Sequence, residues 1–389
     1  MSLRTHLFLA LCLVACGEQK SPESRCDTDC DDPAEDTGDT DDTDDTGDTD
    51  DTDDTDETDD TDDTDETGTE NPCIETTVTF EHEDGTLEDV TDNLLTGAYL
   101  TLDSPGRLLV CPATWYARIL VRANVDVVGL GATPADTVLS GGESGTILDV
   151  AGPDVVLHVG NVTLDRGVGL DVEHNSGGGG LYCEGFGEVS VEDTVFSHNE
   201  ANDGAGLYAE DCEVTVTRST FVDNVSEDDG GALTLWYSNG TFDDVLFSGN
   251  VGLDGGAMAM FYSTATMHDA TFEDNASGNF AGGLWVYNGT LQMSASSFSR
   301  NTNSGGDAGG LLVYGSATLD TVSFDENSAM RGGGLFVYYE SDVSGTLCDF
   351  SGNVPDDIYA PNYEEEGGTS YAAGAAYSFA CDGNYCAEQ

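Results

Sequence analysis

Aspartate and glutamate supply nearly all of the titratable chemistry in this chain. Its 389 residues carry 76 acidic side chains against 10 Lys and Arg. Two carboxylates at a set separation can do acid–base work. At this density an adjacent pair such as Asp243-Asp244 is expected by chance and marks nothing. Five acids recur at similar places in a repeating pattern: Asp203, Asp228, Asp229, Asp254 and Asp307. Stacked into a column they would repel, each near contact costing on the order of 1 kcal/mol even in water. A bridging divalent cation such as calcium would relieve that repulsion and would bind only the folded state. The competing expectation is that these loops splay into solvent and salt screens them. No dedicated metal site or other cofactor is read. His82, His158, His174, His198 and His268 lack ligand spacing, and no Cys-x-x-Cys pair occurs.

The elements that position these residues follow from a repeat. Phe-x-x-Asn occurs seven times, at Phe196/Asn199, Phe221/Asn224, Phe247/Asn250, Phe272/Asn275, Phe298/Asn301, Phe324/Asn327 and Phe350/Asn353. Successive Phe lie 25 or 26 residues apart. Each is preceded by a small-residue turn ending on an apolar residue: Leu181, Leu207, Leu233, Met258, Leu284, Leu311 and Leu335. A fixed period means one unit stacked on itself. Within Ala281–Asn301, Leu284-Trp285-Val286-Tyr287 alternates and Leu291-Gln292-Met293 alternates again, with turns between. Three short strands and three bends per unit predict one coil of a parallel β-helix. Coils ~4.8 Å apart then bring Leu over Leu, Phe over Phe and Asn over Asn. The Phe column fills the interior. Asn is expected to take the left-handed bend, and its amide to bond along the column. Upstream apolar strands between Leu108 and Leu164 add three or four coils, for ~10–11 in all. Cys73 to about Leu102 is read as an N-terminal cap and 354–389 as the C-terminal cap, with the β-helix over 73–353 and its Phe-x-x-Asn repeats over 178–353. The expected class is all-β: a right-handed, single-stranded parallel β-helix.

Alternation also predicts an aromatic face. Three residues past the turn's Leu or Met stand Trp236, Phe261, Tyr287, Tyr314 and Tyr338. One residue past it stand Tyr182, Tyr208, Trp285 and Phe336. Both offsets read as outward, forming a flat strip of the kind that binds sugar rings or a partner protein. The alternative is a ladder covered by a loop, or an aromatic corner that only stabilises the coil.

Residues 1–15 pair a weakly basic start with an apolar run too short to span a bilayer. The run ends Leu13-Val14-Ala15-Cys16. This resembles the lipobox of bacterial lipoproteins, which implies cleavage before Cys16, acylation of its thiol and anchoring in the outer membrane. Residues 16–72 are dominated by Asp-Thr repeats; with no apolar face they are expected to stay disordered, an acidic stalk. A neutral chain of that length would average ~40 Å end to end, and like charge extends it. The body from Cys73 holds 49 acids and 7 arginines, a net of −42, which argues against nucleic acid as a partner. Its cysteines suit an oxidising compartment. Cys73 with Cys111, Cys183 with Cys212 and Cys381 with Cys386 are candidate disulfides. Cys348 falls in an inward slot for a small residue and is expected to be a buried free thiol.

The small-small-Leu/Met turn followed by Phe-x-x-Asn resembles the repeat of polymorphic outer membrane proteins, over roughly 178–353. Gly106-Arg107-Leu108-Leu109-Val110-Cys111-Pro112 and Gly129-Leu130-Gly131 look like the opening coils of pectin-lyase-like β-helix proteins. The first resemblance implies a surface-exposed adhesin, although the C-terminus lacks that family's membrane-barrel segment, so the lipid on Cys16 is expected to anchor the chain. That second resemblance implies, for a lyase, an Arg or Lys base beside acidic calcium ligands and, for a hydrolase, Asn-Thr-Asp, Asp-Asp, Gly-His-Gly and Arg-Ile-Lys in series. Here only Asp243-Asp244 answers, and Arg118-Ile119-Leu120 lacks the final Lys. The expectation is therefore a non-enzymatic surface lipoprotein that binds a glycan or a cell-surface protein. A polysaccharide lyase or hydrolase and a passive envelope component are the alternatives.

Overall fold

A computed structural model describes residues 73, 77–169, 177–362, 367–382 and 385–389. The expected signal segment 1–15, the expected lipidation at Cys16 and the expected stalk 16–72 lie outside the described residues. No described helix is long and apolar enough to cross a membrane.

The chain winds as a solenoid of about nine turns. Strands of successive coils pair in parallel along one face from Leu100–Leu102 through Ile119–Val121, Leu148–Ala151, Leu181–Glu184 and Leu207–Glu210. The same face continues through Leu233–Trp236 and Met258–Phe261 to the strands that begin at Leu284, Leu311 and Leu335. From Leu100 to Leu335 ten strands of this face, three of them ahead of the seven Phe-x-x-Asn units, enclose these nine turns, short of the ~10–11 coils expected. The reason lies at the N-terminus. There Val78–His82 pairs antiparallel with both Leu87–Asp89 and Gly106–Val110, and the helix Thr91–Thr96 follows, making a cap.

Each coil turns its corners on single residues of positive φ rather than on long loops. One such column is His198, Asp223, Gly249, Asp274, Arg300, Glu326 and Gly352. Each stands immediately before the repeated Asn of its coil, so the left-handed residue is the one ahead of Asn and not Asn itself. That frees the Asn side chain to point inward. Asn199, Asn224, Asn250, Asn275, Asn301 and Asn327 are fully buried. From Asn224 to Asn327 each Nδ2 donates to the Phe carbonyl of the coil before and to Oδ1 of the Asn in the coil after; for Asn275 these distances are 3.0 and 2.9 Å. At the ends of the ladder Asn199 uses the Leu164 carbonyl instead and Asn353 donates to Asp357. Its Oδ1 accepts from the backbone N–H and Nδ2 of Asn250. The ladder therefore satisfies buried polar groups that would otherwise be costly.

The Phe column stacks beside it with ring centroids 4.4 to 5.1 Å apart. Six of its members are fully buried, and Phe350, at the end, nearly so. A second, six-stranded parallel sheet, Val168–Gly169, Glu200–Ala201, Val225–Ser226, Val251–Asp254, Ala276–Phe280 and Thr302–Asn303, runs along the corner after the Asn ladder. Beyond Asn353 the coil continues: Ile358–Asn362 pairs in parallel with the strand at Leu335. Only then do Gly367–Tyr371, Tyr377–Cys381 and Cys386–Glu388 turn antiparallel and close the end.

Candidate functional site

The two aromatic offsets converge on one ridge outside the coil. Trp236 lies 4.4 Å from Phe261, Phe261 5.0 Å from Trp285, Trp285 5.6 Å from Tyr287, Tyr287 5.1 Å from Tyr314 and Tyr314 5.2 Å from Tyr338, between ring centroids. Phe336 joins through Tyr338 at 6.2 Å. All seven candidate residues thus belong to one contiguous surface, but not all of it is open. Phe261, Trp285 and Phe336 are buried, with Leu312, over a floor of Ala259, Ala281 and Ala308. The reading of both offsets as exposed is corrected for these three and for Tyr208, which is also buried. Phe280, at the end of its strand in the small sheet, packs 5.1 Å from Trp285. Tyr359 stacks 5.2 Å from Phe336, and the Arg331 guanidinium lies 5.4 Å from the same ring. The corner sheet and the last coil roof the inner row, which becomes a second apolar core. Trp236, Tyr287, Tyr314 and Tyr338 remain half-buried along its open edge.

Two residues missed by the offset reading extend that edge. Tyr237 and Tyr262 are 53% and 46% exposed, and their rings stack 5.1 Å apart. Both sit at positive-φ corners, one residue past the aromatic that alternation selects. The doublets Trp236-Tyr237 and Phe261-Tyr262 were the available signal. At the other end Tyr182 and Tyr208 stack at 5.4 Å, and their hydroxyls donate to Glu184 and Glu210. Burial, with these carboxylates, raises both phenols well above their usual range. They bind their own coil's acids, so they close the strip.

The acidic loops do stack in part. Carboxylate oxygens of Asp203, Asp228 and Asp229 lie within 4.8 Å of one another. Burial, then the charges of Asp203, Asp228 and Asp254, pushes Asp229 up to about 8. Asp203 rises to about 6, mainly by burial, although it accepts the Asp229 backbone N–H at 3.0 Å. Burial also raises Asp254. Such a group can be neutralised by protons or can offer oxygens to a divalent cation. Asp307 does not join it. Arg331 clasps that carboxylate with two bonds of 2.7 Å, which removes it from the column of like charges.

The structure forms disulfides between Cys73 and Cys111, Cys183 and Cys212, and Cys381 and Cys386. Cys348 is free and buried, and burial raises its thiol pKa. The motif fragments stay apart from any shared centre. Asp243 is exposed and meets only His268 at 3.0 Å, and Asp244 occupies a positive-φ corner. Arg118 lies on a different part of the solenoid, near Tyr99 and Gly97.

A family model described as a right handed beta helix region matches residues 168–329. The fold is accordingly a right-handed parallel β-helix. No curated protein matches the sequence. Among solved structures, a rice weevil pectin methyl esterase aligns at 9% identity over 51% of this chain and 71% of its own, with a TM-score of 0.30. PfbA, a surface adhesin of Streptococcus pneumoniae, aligns at 10% identity over 76% of this chain and 91% of its own, with a TM-score of 0.33.

Proposed function

We propose that this protein is a surface-displayed binding protein of the adhesin type, held to the outer membrane through a lipid on Cys16 and carried clear of it by the acidic stalk 16–72. The observation that supports it is the open edge of the aromatic ridge. A solenoid needs no aromatics outside its coil. Here an exposed, stacked pair, Tyr237 and Tyr262, continues a half-buried row over three further coils. Flat rings with polar tips on a rigid scaffold suit sugar rings or a partner protein, because little side-chain entropy is lost on binding. The body's charge steers it away from anionic surfaces at long range, so contact is expected to be short-range and apolar. An enzymatic reading would need a constellation, and the described residues of the motif fragments share none.

The test is a glycan array and a cell-binding assay with the full chain beside a Tyr237→Ala/Tyr262→Ala variant. These side chains are exposed, so the fold should survive. Binding lost in the variant supports the reading; equal binding by both, or none by either, sinks it. Metabolic labelling with an alkyne fatty acid tests the anchor. Label is expected on the wild type and absent from Cys16→Ser.

A further inference from the structure

The first coils hold a second surface, built around a guanidinium that has no acid to satisfy it. The body has seven arginines in a sea of carboxylates. Six of them find one: Arg107 with Glu81, Arg122 with Asp103, Arg166 with Asp165, Arg218 with Asp193 and Glu192, Arg300 with Asp274 and Glu273, and Arg331 with Asp307. Arg118 alone among the described residues has no carboxylate within ion-pairing distance. It is nevertheless fixed in place. Nε and Nη2 donate to the Gly97 carbonyl at 3.3 and 3.0 Å, and the guanidinium lies 4.4 Å from the Tyr99 ring centroid. Its Nη1 has no hydrogen-bond partner among the described residues.

Arg118 lines a cavity of about 360 Å³ together with Gly97, Gly142, Ser144 and Tyr116. Room for it depends on missing side chains. A Cβ on Gly142 would come within 3.2 Å of the Tyr116 ring, and one on Gly145 within 3.1 Å of Arg118 Cδ. Tyr116 is 55% exposed and is shared with a neighbouring groove of about 590 Å³ that contains Arg166, Ser140 and Thr163. An oriented guanidinium with an open N–H edge binds carboxylate in a planar fork. An exposed phenol ring beside it offers a face to a flat or puckered ring. The body's net negative charge is screened beyond ~8 Å at physiological salt, so the local group decides.

We propose that the Arg118 cavity binds a carboxylate-bearing ring, with the carboxylate on Arg118 and the ring against Tyr116. This site is separate from the aromatic ridge and stands or falls independently of it. The experiment is a ligand-observed NMR titration of the full chain at constant ionic strength. Glucuronate and benzoate represent the sugar-acid and aromatic-acid sources, and glucose and acetate are the controls lacking charge or ring. At least one acid is expected to bind at least tenfold more tightly than either control, and which acid does so names the source. Arg118→Gln and Tyr116→Ala should each weaken it at least tenfold, while Tyr237→Ala/Tyr262→Ala should leave it unchanged. Tyr116 is exposed, so its variant should keep the wild-type melting temperature if Arg118→Gln does not. The proposal is overturned if neither acid binds, if a control binds as well, or if binding survives in Tyr116→Ala.

Discussion

At the scale of single residues the coil is held by an exchange between strain and satisfaction. A left-handed non-glycine residue costs roughly 1–2 kcal/mol, and the corners use many of them, including Asp223, Asp274 and Arg300. What they gain is an inward Asn whose every amide bond is made. Ala295 tests the strain term alone. Its φ is 50°, and its side chain is exposed. Ala295→Gly should stabilise by about 0.5–1 kcal/mol, after glycine's own entropy cost, seen as a melting temperature raised by a degree or more. A fall would show that the corner is not strained. Phe272 tests the column. It stacks 4.7 Å from both Phe247 and Phe298, which hold their places when it is removed. Phe272→Ala should cost ~3–5 kcal/mol, read by denaturant unfolding. The spacing of Phe and Asn alone placed Phe inward and stacked the Asn amides in a bonding column. It could not reveal which residue bends, because Asn is the usual left-handed residue and the true bend is occupied by Asp, Arg, Glu, His and Gly alike.

At the scale of elements the loops between Asn and the next Gly turn set the response to pH. Unfolded aspartate titrates near 3.8, whereas Asp203 and Asp229 hold protons up to about 6 and about 8 in the fold. The folded state therefore binds more protons between those values, and stability falls as pH rises from 4 through 8. Asp193 and Asp274 run the other way. Arg218 and Arg300 hold them below the usual carboxylate range, so their contribution fades only under more acidic conditions. The melting temperature is thus expected to peak near pH 4 and to be lower at pH 9. Asp229→Asn should flatten most of that decline; an unchanged slope would locate the titrating group elsewhere. The recurrence of these acids was legible in the sequence, and so was the aromatic row. The roof over Phe261, Trp285 and Phe336 was not. Alternation states which way a side chain leaves its strand and says nothing of a second sheet packed outside it. Likewise Arg331, 24 residues beyond Asp307, becomes its partner only because the coil returns there.

At the scale of the whole molecule a solenoid has no global core, only neighbours, and its weak points are its ends. The period made the stack legible from sequence, while the caps, which carry no repeat, were legible only by default as what remained. The C-terminal end shows what a cap must do. The strand Asp342–Ser351 would leave an open edge, and Tyr377–Cys381 covers it in antiparallel register. Phe379 is fully buried over Gly345, where even a Cβ would come within 2.2 Å of its ring, and it approaches Phe350 at 6.1 Å. The Cys381–Cys386 bridge closes the last hairpin over this edge. A chain ending at Ala376 loses the covering strand, the ring and the bridge together, while the coils from Leu181 to Asn327 keep every neighbour. It should therefore stay folded over most of its length and pair through the bared edge, since unpaired N–H and C=O groups template another strand. Light scattering on a sizing column should show dimers or larger species that grow with concentration, with far-ultraviolet circular dichroism still that of a β-rich chain. A monomer at all concentrations would mean that the edge strand frays instead of pairing. Loss of the β signal altogether would mean that the cap, and not the stack of coils, holds the molecule together.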